Sequence, residues 1–133
     1  MTTFLDTSVL IAMLKEDDQF HDWSLEEFEN CKIKGPAIIS DMVYCEFCVG
    51  MASKENADAA VEAFGIERSP RNDEALFRAG VAFKKYRENR GQKANVLPDF
   101  IIGAFADVVG APLITSNPDD FLRYFPNLEI IRP

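Results

Sequence analysis

The sequence predicts an α/β protein with a mainly parallel central sheet. Short apolar segments suited to buried strands alternate along the chain with longer segments of helical periodicity. Hydrophobic residues make up 47% of the chain and charged residues 27%, which is the composition of an ordinary folded domain. A length of 133 residues supports one hydrophobic core and is too short for two. We therefore expect a single domain over residues 1–133, with helices layered on the sheet.

The first half of the chain is predicted to alternate short strands with helices. Residues 2–5 and 37–40 are short and apolar, as buried parallel strands are. Apolar residues recur at helical spacing from about 19 to 34, and Gly35-Pro36 ends that helix. The other elements expected here are a helix in 6–14 capped by Thr7 or Ser8, a helix at 41–52, a helix at 55–64 closed by Gly65, and a brief strand at 66–67.

The second half is predicted to contain two longer helices separated by a polar loop. They span 72–88 and 98–109, and Pro98 suits the first turn of the second helix. A strand at 112–115, a short helix within 117–125 and a strand at 128–131 follow. Periodicity assigns these side chains to the buried faces of the two long helices: Ala75, Leu76, Ala79, Val81, Ala82 and Phe83 in the first, and Leu97, Ile101, Ala104, Phe105 and Val108 in the second.

Three carboxylates stand alone in apolar segments. Asp6, Glu46 and Asp99 are each the only charged residue of their own segment. Burying an unpaired carboxylate costs several kcal/mol, so each needs a partner, a proton or a cation. Any one of them could be a helix cap or half of a buried salt bridge. Because the carboxyl ends of parallel strands share one edge of a sheet, we instead expect all three to converge there. The segments are 1–14, 42–53 and 94–106.

A divalent metal ion is the expected partner of this carboxylate set. All-oxygen ligands favour Mg²⁺ or Mn²⁺ over Zn²⁺, whose sites use Cys and His. Such ions activate water and neutralise the charge that develops on a phosphodiester, so hydrolytic phosphoryl transfer is the predicted chemistry. His21, the sole histidine, lies in a charged helix and is predicted to be a surface residue. Cys45 and Cys48 have redox spacing but lie within a helix, so we expect core packing.

Charge and cysteine content restrict the partners and the compartment. The net charge of −8 opposes tight nonspecific binding to nucleic acid, which requires Lys and Arg to neutralise phosphates. Surplus carboxylates instead suit the gathering of cations or docking against a basic partner. Three cysteines do not suggest a disulfide framework, and no apolar run approaches the roughly 20 residues of a membrane span. Since the first residues also differ from a signal peptide, we expect a cytoplasmic protein without membrane contact.

Four segments that span almost the whole chain occur in a recognisable order: LDTSVLIA, SDMVYCEFCVG, LPDFIIGAFA and LITSNPDDF. Together they resemble the PIN-domain nucleases, particularly the toxin ribonucleases of VapBC-type toxin–antitoxin pairs. The resemblance implies a three-layer α/β/α sandwich and endonucleolytic cleavage of RNA by a water activated by Mg²⁺ or Mn²⁺. It also implies a protein antitoxin as inhibitor and a homodimer.

The resemblance also implies roles for individual residues. Asp6 and Asp99 match direct metal ligands, and Glu46 matches a third acidic residue that binds directly or through water. The fourth acidic position of the family is Asn117 here, which we include in the catalytic set although it adds no charge. Either Asp119 or Asp120 is expected to compensate. Hydroxyl groups expected to hold the carboxylates in place belong to Thr7, Ser40 and Thr115.

Two further groups of residues have both a functional and an ordinary interpretation. Arg90 and Lys93, with Arg87 and Arg123, are placed to hold substrate phosphates at the rim of the site, or to form a solvated basic surface. An aromatic set could form an exposed apolar groove for an antitoxin arm, or pack in the core. The set comprises Phe20, Trp23 and Phe28, with Met13 and Leu14 on the preceding helix.

Other classes of protein fit the sequence less well. A haloacid-dehalogenase-like phosphatase normally carries a second acidic residue two positions after the first, where Ser8 stands here. A receiver-like phosphoacceptor domain requires paired acidic residues before Asp6 and a late lysine, and neither is found. Two alternatives within the resembled family remain open: a catalytically degenerate binding module, which Asn117 favours, and an RNA-processing nuclease that is not a toxin.

Overall fold

The computed structural model describes residues 1–93 and 96–133, which form five strands and seven helices. The strands are β1 (Thr3–Leu5), β2 (Ala37–Ile39), β3 (Glu67–Arg68), β4 (Leu113–Ile114) and β5 (Ile130–Ile131). The helices are α1 (Thr7–Leu14), α2 (His21–Lys34), α3 (Asp41–Val49), α4 (Lys54–Ala63), α5 (Asp73–Glu88), α6 (Leu97–Val109) and α7 (Asp119–Tyr124). Every element predicted from the sequence is present, and most boundaries differ from the prediction by one to three residues.

The five strands form one parallel sheet in the order β3-β2-β1-β4-β5. Phe4 of β1 pairs with Ile38 of β2 on one side and Leu113 of β4 on the other. Strands β2 and β3 are added to one side of β1, and strands β4 and β5 are added to its other side. Because parallel crossovers are right-handed, this change of side places α1–α4 on one face and α5–α7 on the other. The predicted three-layer α/β/α arrangement is confirmed.

The order of the strands reverses between β1 and β4, which creates the switch point of the sheet. In open parallel sheets of this kind, the helices after the two central strands leave toward opposite faces, and a crevice opens at the carboxyl ends of those strands. Asp6 follows β1 directly, and Thr115 follows β4. The fold therefore brings residues separated by 109 positions together at this crevice.

The buried surface of α6 extends well beyond one face. Phe100, Ile102 and Phe105 are buried, as are the small residues between them. Leu97, which was predicted to be inward, is 39% exposed, whereas Ile101 and Val108 are half-buried and pack against the core as predicted. The prediction was wrong at Leu97 and missed Phe100 and Ile102, because α6 packs against α5, α7 and α3 and a single-face period does not describe it.

Small residues form the buried face of α5. Ala75, Ala79, Ala82 and Tyr86 are buried, at spacings of four and three residues. Leu76 and Val81 were predicted to be inward, but they are 44% and 52% exposed. This face of α5, three alanines and Tyr86, is buried where the helix packs mainly on α6, and Leu76 and Val81 lie on the sides that α6 does not cover.

Two predictions about single residues also need correction. His21 was expected on the surface, but it is half-buried and its Nδ1 lies 2.7 Å from the carbonyl oxygen of Ala12, which joins α2 to the end of α1. Cys45 was expected to pack in the core, but its side chain is exposed, while Cys48 is half-buried against the core. Both cysteines are free thiols on α3. Over the described ranges, each helix is too short or too polar to cross a lipid bilayer.

Gly103→Ala is expected to destabilise the protein by about 1–3 kcal/mol, because a β carbon at this position would lie 2.7 Å from the ring of Phe125. This cost exceeds the gain of up to about 1 kcal/mol that alanine provides in a helix. Gly80→Ala is the matched control, since a β carbon there would meet no neighbouring group within 4 Å and the helix gain alone applies. Urea unfolding measures both variants. Equal stabilisation by the two substitutions would contradict the close packing of α6 against Phe125 at the end of α7.

Candidate active site

Asp6 is held at the switch point by three hydrogen bonds. It is the N-cap residue of α1, and its Oδ1 accepts the backbone N–H of Thr7 at 2.8 Å. Its Oδ2 accepts the hydroxyl of Thr115 at 2.7 Å and the hydroxyl of Ser8 at 3.1 Å. The side chains after β1 and β4 are thereby joined. As Thr7 and Ser8 both belong to the first turn of α1, the start of this helix fixes the orientation of the carboxylate.

Burial dominates the electrostatics of Asp6. The residue is only 5% exposed, and the loss of water raises the pKa of its carboxyl above the ordinary value. The hydrogen bonds from Thr115, Ser8 and the Thr7 backbone act in the opposite direction, and the negative charge of Glu46 adds a smaller increase in the pKa. None of these main contributions comes from a basic side chain. The carboxylate is therefore held at an energetic cost, as functional carboxylates often are.

Glu46 is joined to the same turn through Thr7. The Thr7 hydroxyl donates to Oε1 of Glu46 at 2.6 Å, while the Thr7 backbone donates to Asp6. Thr7 is one of the three residues whose hydroxyl groups were predicted to hold the carboxylates, and it contacts two of them: Asp6 through its backbone N–H and Glu46 through its hydroxyl. Ser40 has another contact: its hydroxyl accepts the N–H of Val43 at 3.3 Å and caps α3. It orients the helix that carries Glu46, instead of bonding to a carboxylate as the sequence led us to expect.

Asp99 lies in the first turn of α6, and its carboxyl is strongly perturbed. Its pKa rises to about 7, first because of burial and then because of the negative charges of Asp6, Glu46 and Asp120, while Lys93 lowers it. The possibility that Asp99 caps its helix is not supported, because Val96 is the N-cap and, in the described part of the chain, no side chain caps this end. Three carboxylates from three separate helices therefore share one electrostatic environment.

The turn after β4 borders the site in addition to α1, α3 and α6. The N–H of Asn117 donates to the Thr115 hydroxyl at 3.0 Å, and the side chain of Asn117 is exposed. Asp120 is half-buried and lies close enough to raise the pKa of Asp99, whereas Asp119 is exposed. Between the two candidates for the compensating acid, the geometry favours Asp120. An open cleft of ≈350 Å³ is lined by Lys93, Asp99 and the stretch from Ser116 to Asp120.

The basic side chains are divided between this cleft and its neighbour. Lys93 pairs with Asp120 at 3.2 Å and lines the cleft, although its side chain is 68% exposed. Arg90, at a left-handed φ of 60°, and Arg123 line an adjoining cavity of ≈560 Å³ that Lys93 also borders. The Tyr86 hydroxyl accepts the backbone N–H of Lys93 at 2.7 Å, which fixes the base of this side chain.

The predicted aromatic groove is divided between the core and the surface. Phe28 and Met13 are buried in the core, so they cannot line an exposed groove. Phe20 and Trp23 are half-buried, and their ring centroids lie 6.4 Å apart in an edge arrangement. Leu14 is 43% exposed. Phe20, Trp23 and Leu14 are therefore the members of this set that remain at least partly accessible.

Sequence reasoning missed one partner of Asp6. Ser8 was expected only as a helix cap, but its hydroxyl donates to Asp6 and lies 3.4 Å from the N–H of Ser116, so it joins α1 to the turn after β4. Its position two residues after Asp6 was the available signal, because a hydroxyl at that spacing returns to the capping carboxylate.

The donor set has the chemistry that Mg²⁺ and Mn²⁺ prefer. The side chains that surround the cleft offer carboxylate, amide and hydroxyl oxygens. Within residues 1–93 and 96–133, however, no three Asp, Glu, His or Cys side chains are already arranged to hold a metal ion together. The fit therefore depends on the oxygen donors and on their shared negative charge, which a divalent cation would neutralise.

Fold and site together define a doubly wound α/β protein with an acidic site at the switch point of a parallel sheet. A comparison with protein families finds one whose model matches residues 3–125, described as the PIN domain. The chain belongs to the PIN domain family. A comparison with curated proteins finds no match.

Solved structures of similar fold come from toxin–antitoxin complexes. A chain of VapBC2 from Rickettsia felis, bound to a promoter DNA fragment, matches with a TM-score of 0.78 and 21% identity over 100% of this chain and 99% of that chain. A chain of DNA-bound VapBC from Salmonella typhimurium gives 0.74 and 21%, covering 99% and 98%. VapBC-5 from Mycobacterium tuberculosis gives 0.61 and 24%, also covering 99% and 98%.

Proposed function

We propose that the protein is a Mg²⁺- or Mn²⁺-dependent endoribonuclease that acts in the cytoplasm as the toxin of a type II toxin–antitoxin pair. The main observation behind this proposal is that Asp6, Glu46 and Asp99, each of which caps or belongs to a different helix, lie close enough for the charges of the first two to raise the pKa of the third. Structural carboxylates normally pair with a base, but here the nearest charges of Asp6 and Asp99 are mainly negative. Concentrated negative charge at a switch point supports a cation site.

Asp6 and Asp99 would hold the metal ion directly, with Glu46 as a third ligand or as the acceptor of a bound water. A divalent ion there supplies charge neutralisation for the phosphodiester and lowers the pKa of water. The hydroxyls of Thr115 and Ser8 keep the Asp6 carboxylate in one orientation, and Thr7 does the same for Glu46. These three residues thus preorganise oxygen ligands that would otherwise repel one another.

Lys93, Arg90 and Asn117 are proposed to contact the RNA. Lys93 borders both cavities beside the carboxylates, so its ammonium can approach a phosphate without leaving the site. Arg90 lines the larger of these two cavities together with Lys93, and it does not line the carboxylate cleft. The amide of Asn117 offers a neutral donor and acceptor where a fourth carboxylate would add repulsion. These contacts offset the net charge of −8 that opposes RNA binding elsewhere.

A protein antitoxin and a second copy of the chain are the proposed partners. The similar structures were solved as complexes of toxin–antitoxin systems. In this chain, Leu76, Phe77 and Val81 are 44–70% exposed on α5, and an unpartnered apolar helix face of this kind suits association with protein. The acidic surface suits an antitoxin segment rich in Arg.

A catalytically degenerate binding module is the second candidate, and the neutral Asn117 favours it. Such a module would bind RNA or its partner without cleavage. A nuclease of RNA processing would cleave RNA but would not stop growth when produced in cells. A small neighbouring gene that encodes a DNA-binding domain with an amphipathic tail would distinguish the toxin from this last alternative.

Chelation by EDTA is expected to slow RNA cleavage by at least about 100-fold, because removal of the cation forfeits several kcal/mol of stabilisation of the transition state. Addition of excess Mg²⁺ or Mn²⁺ restores the rate, whereas excess Ca²⁺, which takes more ligands at longer distances, restores little of it. A gel assay on unstructured RNA measures these rates. Cleavage at an unchanged rate in EDTA would overturn the metal mechanism, and absence of cleavage with every cation would favour the binding module.

A further inference from the structure

A second cavity opens on the other side of the switch point from the basic side chains. It measures ≈380 Å³, which falls within the range of roughly 300–1,000 Å³ that is typical of small-molecule sites. Its lining comes from the start of α1, the loop before α2 and the turn after β4. Ser116 and Asn117 line both this cavity and the carboxylate cleft, so the two cavities lie side by side at this turn. A molecule that is bound in one of them is therefore adjacent to the other.

Phe20 gives this cavity an aromatic wall. In the described part of the chain, Ile11 and Trp23 pack against the hydrophobic core, whereas the half-buried Phe20 does not. Core packing therefore does not explain the position of this ring. Its backbone N–H donates to Oδ1 of Asp18 at 2.8 Å, and its ring makes an edge contact with Trp23. Phe20 is thus held in place with part of its surface directed away from the core.

Polar side chains surround this aromatic wall. Gln19 and Asn117 carry exposed amides, each able to donate and accept hydrogen bonds, and Ser8 adds a hydroxyl. An aromatic face combined with amide groups is the arrangement with which proteins bind unpaired bases: the ring stacks on the base, and polar groups reach its edge. Over residues 1–93 and 96–133, no basic side chain lines this cavity, so it does not fit a phosphate.

We propose that this cavity holds an unpaired nucleobase of the RNA, next to the phosphodiester that lies at the carboxylates. The inference rests on the proposed ribonuclease function and deepens it: one unpaired base of the substrate stacks on Phe20. Asn117, which lines both cavities, contacts the ribose that links this base to the phosphate. Gln19 and Asn117 approach the edge of the base, and Asp6 remains at the phosphate end.

Binding of short RNA in EDTA, where no cleavage occurs, tests this proposal. The two ligands are fluorescently labelled hexaadenylate and an abasic ribose-phosphate hexamer of equal charge, and fluorescence anisotropy measures their affinities. Phe20→Leu keeps an apolar side chain but removes the ring, whereas Phe20→Tyr keeps the ring. We expect Phe20→Leu to bind hexaadenylate about tenfold more weakly than the wild type, Phe20→Tyr to bind like the wild type, and all three proteins to bind the abasic hexamer equally.

Trp23 offers an independent readout, because it is the single tryptophan of the chain and contacts Phe20. Hexaadenylate is expected to change its emission, and the abasic hexamer is not. Equal affinity of Phe20→Leu and Phe20→Tyr for hexaadenylate would overturn the inference. Loss of antitoxin binding by Phe20→Leu without loss of RNA binding would overturn it too. If the protein bound hexaadenylate better than the abasic hexamer but did not cleave RNA in Mg²⁺, the ribonuclease function would be refuted and the nucleobase site would be supported. If it cleaved RNA equally well with and without the Phe20 ring, the nucleobase site would be refuted and the ribonuclease function would be supported.

Discussion

Asp6→Asn is expected to lower RNA cleavage at least about 100-fold while the protein remains folded. The substitution removes a carboxylate charge from the proposed metal site, and a ligand of this kind contributes several kcal/mol to stabilisation of the transition state. An Asn side chain has nearly the same shape and keeps one oxygen that can accept from Thr115 or Ser8. Rates of cleavage under Mg²⁺, measured beside circular dichroism and thermal unfolding, check both parts of the expectation.

The stability of Asp6→Asn distinguishes a functional carboxylate from a structural one. Burial raises the pKa of Asp6 in the folded state, so its ionised form opposes folding at neutral pH. The neutral variant should therefore match or exceed the wild type in melting temperature without metal. Asp22→Asn, the same change at an exposed position in the first turn of α2, should leave activity unchanged and lower stability by no more than about 1 kcal/mol, through loss of a negative charge at a helix N-terminus. A large loss of melting temperature in Asp6→Asn, or full activity, would contradict our assignment.

Asp99→Asn is expected to change stability in opposite directions with and without metal. The folded-state pKa of about 7 lies above the value of about 3.9 for an unfolded chain. The stabilisation linked to the protonated carboxyl is thus complete below pH 4 and is lost as the pH rises toward 7 and above. Since Asp99 is partly exposed and screened by solvent, we expect the metal-free variant to exceed the wild type at pH 8 by about 1–2 kcal/mol, a difference that vanishes near pH 4.

Saturating Mg²⁺ should reverse this order at pH 8. A ligand present at 100 times its dissociation constant stabilises the folded state by about 2.7 kcal/mol, and the variant without the carboxylate lacks most of this gain. Chemical unfolding of both proteins across pH 4–8, in EDTA and in Mg²⁺, measures the four cases. If Asp99→Asn were the less stable protein in EDTA at pH 8, the carboxylate would have a structural role. If Mg²⁺ stabilised both proteins equally, Asp99 would not be a metal ligand.

The site residues differ in how far the sequence could define them. Asp6, Glu46 and Asp99 were recognisable because each is a lone charge in an apolar segment, and such a charge requires compensation wherever the segment folds. The partners of these carboxylates were harder to assign. Thr7 and Thr115 do bond to them, but Ser40 caps α3 instead, and Ser8 was recognised only in the structure. A hydroxyl offers the same chemistry in either role, so its rotamer and surroundings decide between them.

The long helices show a similar division. The existence of α5 and α6 followed from their hydrophobic period, but the orientation of Leu76, Val81 and Leu97 did not. Periodicity reports which residues avoid water on an isolated helix. It cannot report which neighbouring elements cover each side of the helix: in the fold, Ala79 lies on the covered side of α5 and Gly103 of α6 lies against Phe125.

The sequence by itself determined the order of strands and helices, the parallel α/β class and the carboxylates of the proposed active site. Apolar period, turn residues and uncompensated charge are local properties, so they can be recognised before the chain is folded. Only the tertiary structure decided that Asp120 is half-buried and raises the pKa of Asp99, that Lys93 pairs with Asp120, and that a cavity beside Phe20 adjoins the carboxylate cleft. These features depend on distances between segments far apart in the chain, which are fixed only when β1 and β4 pair and the helices close around their carboxyl ends.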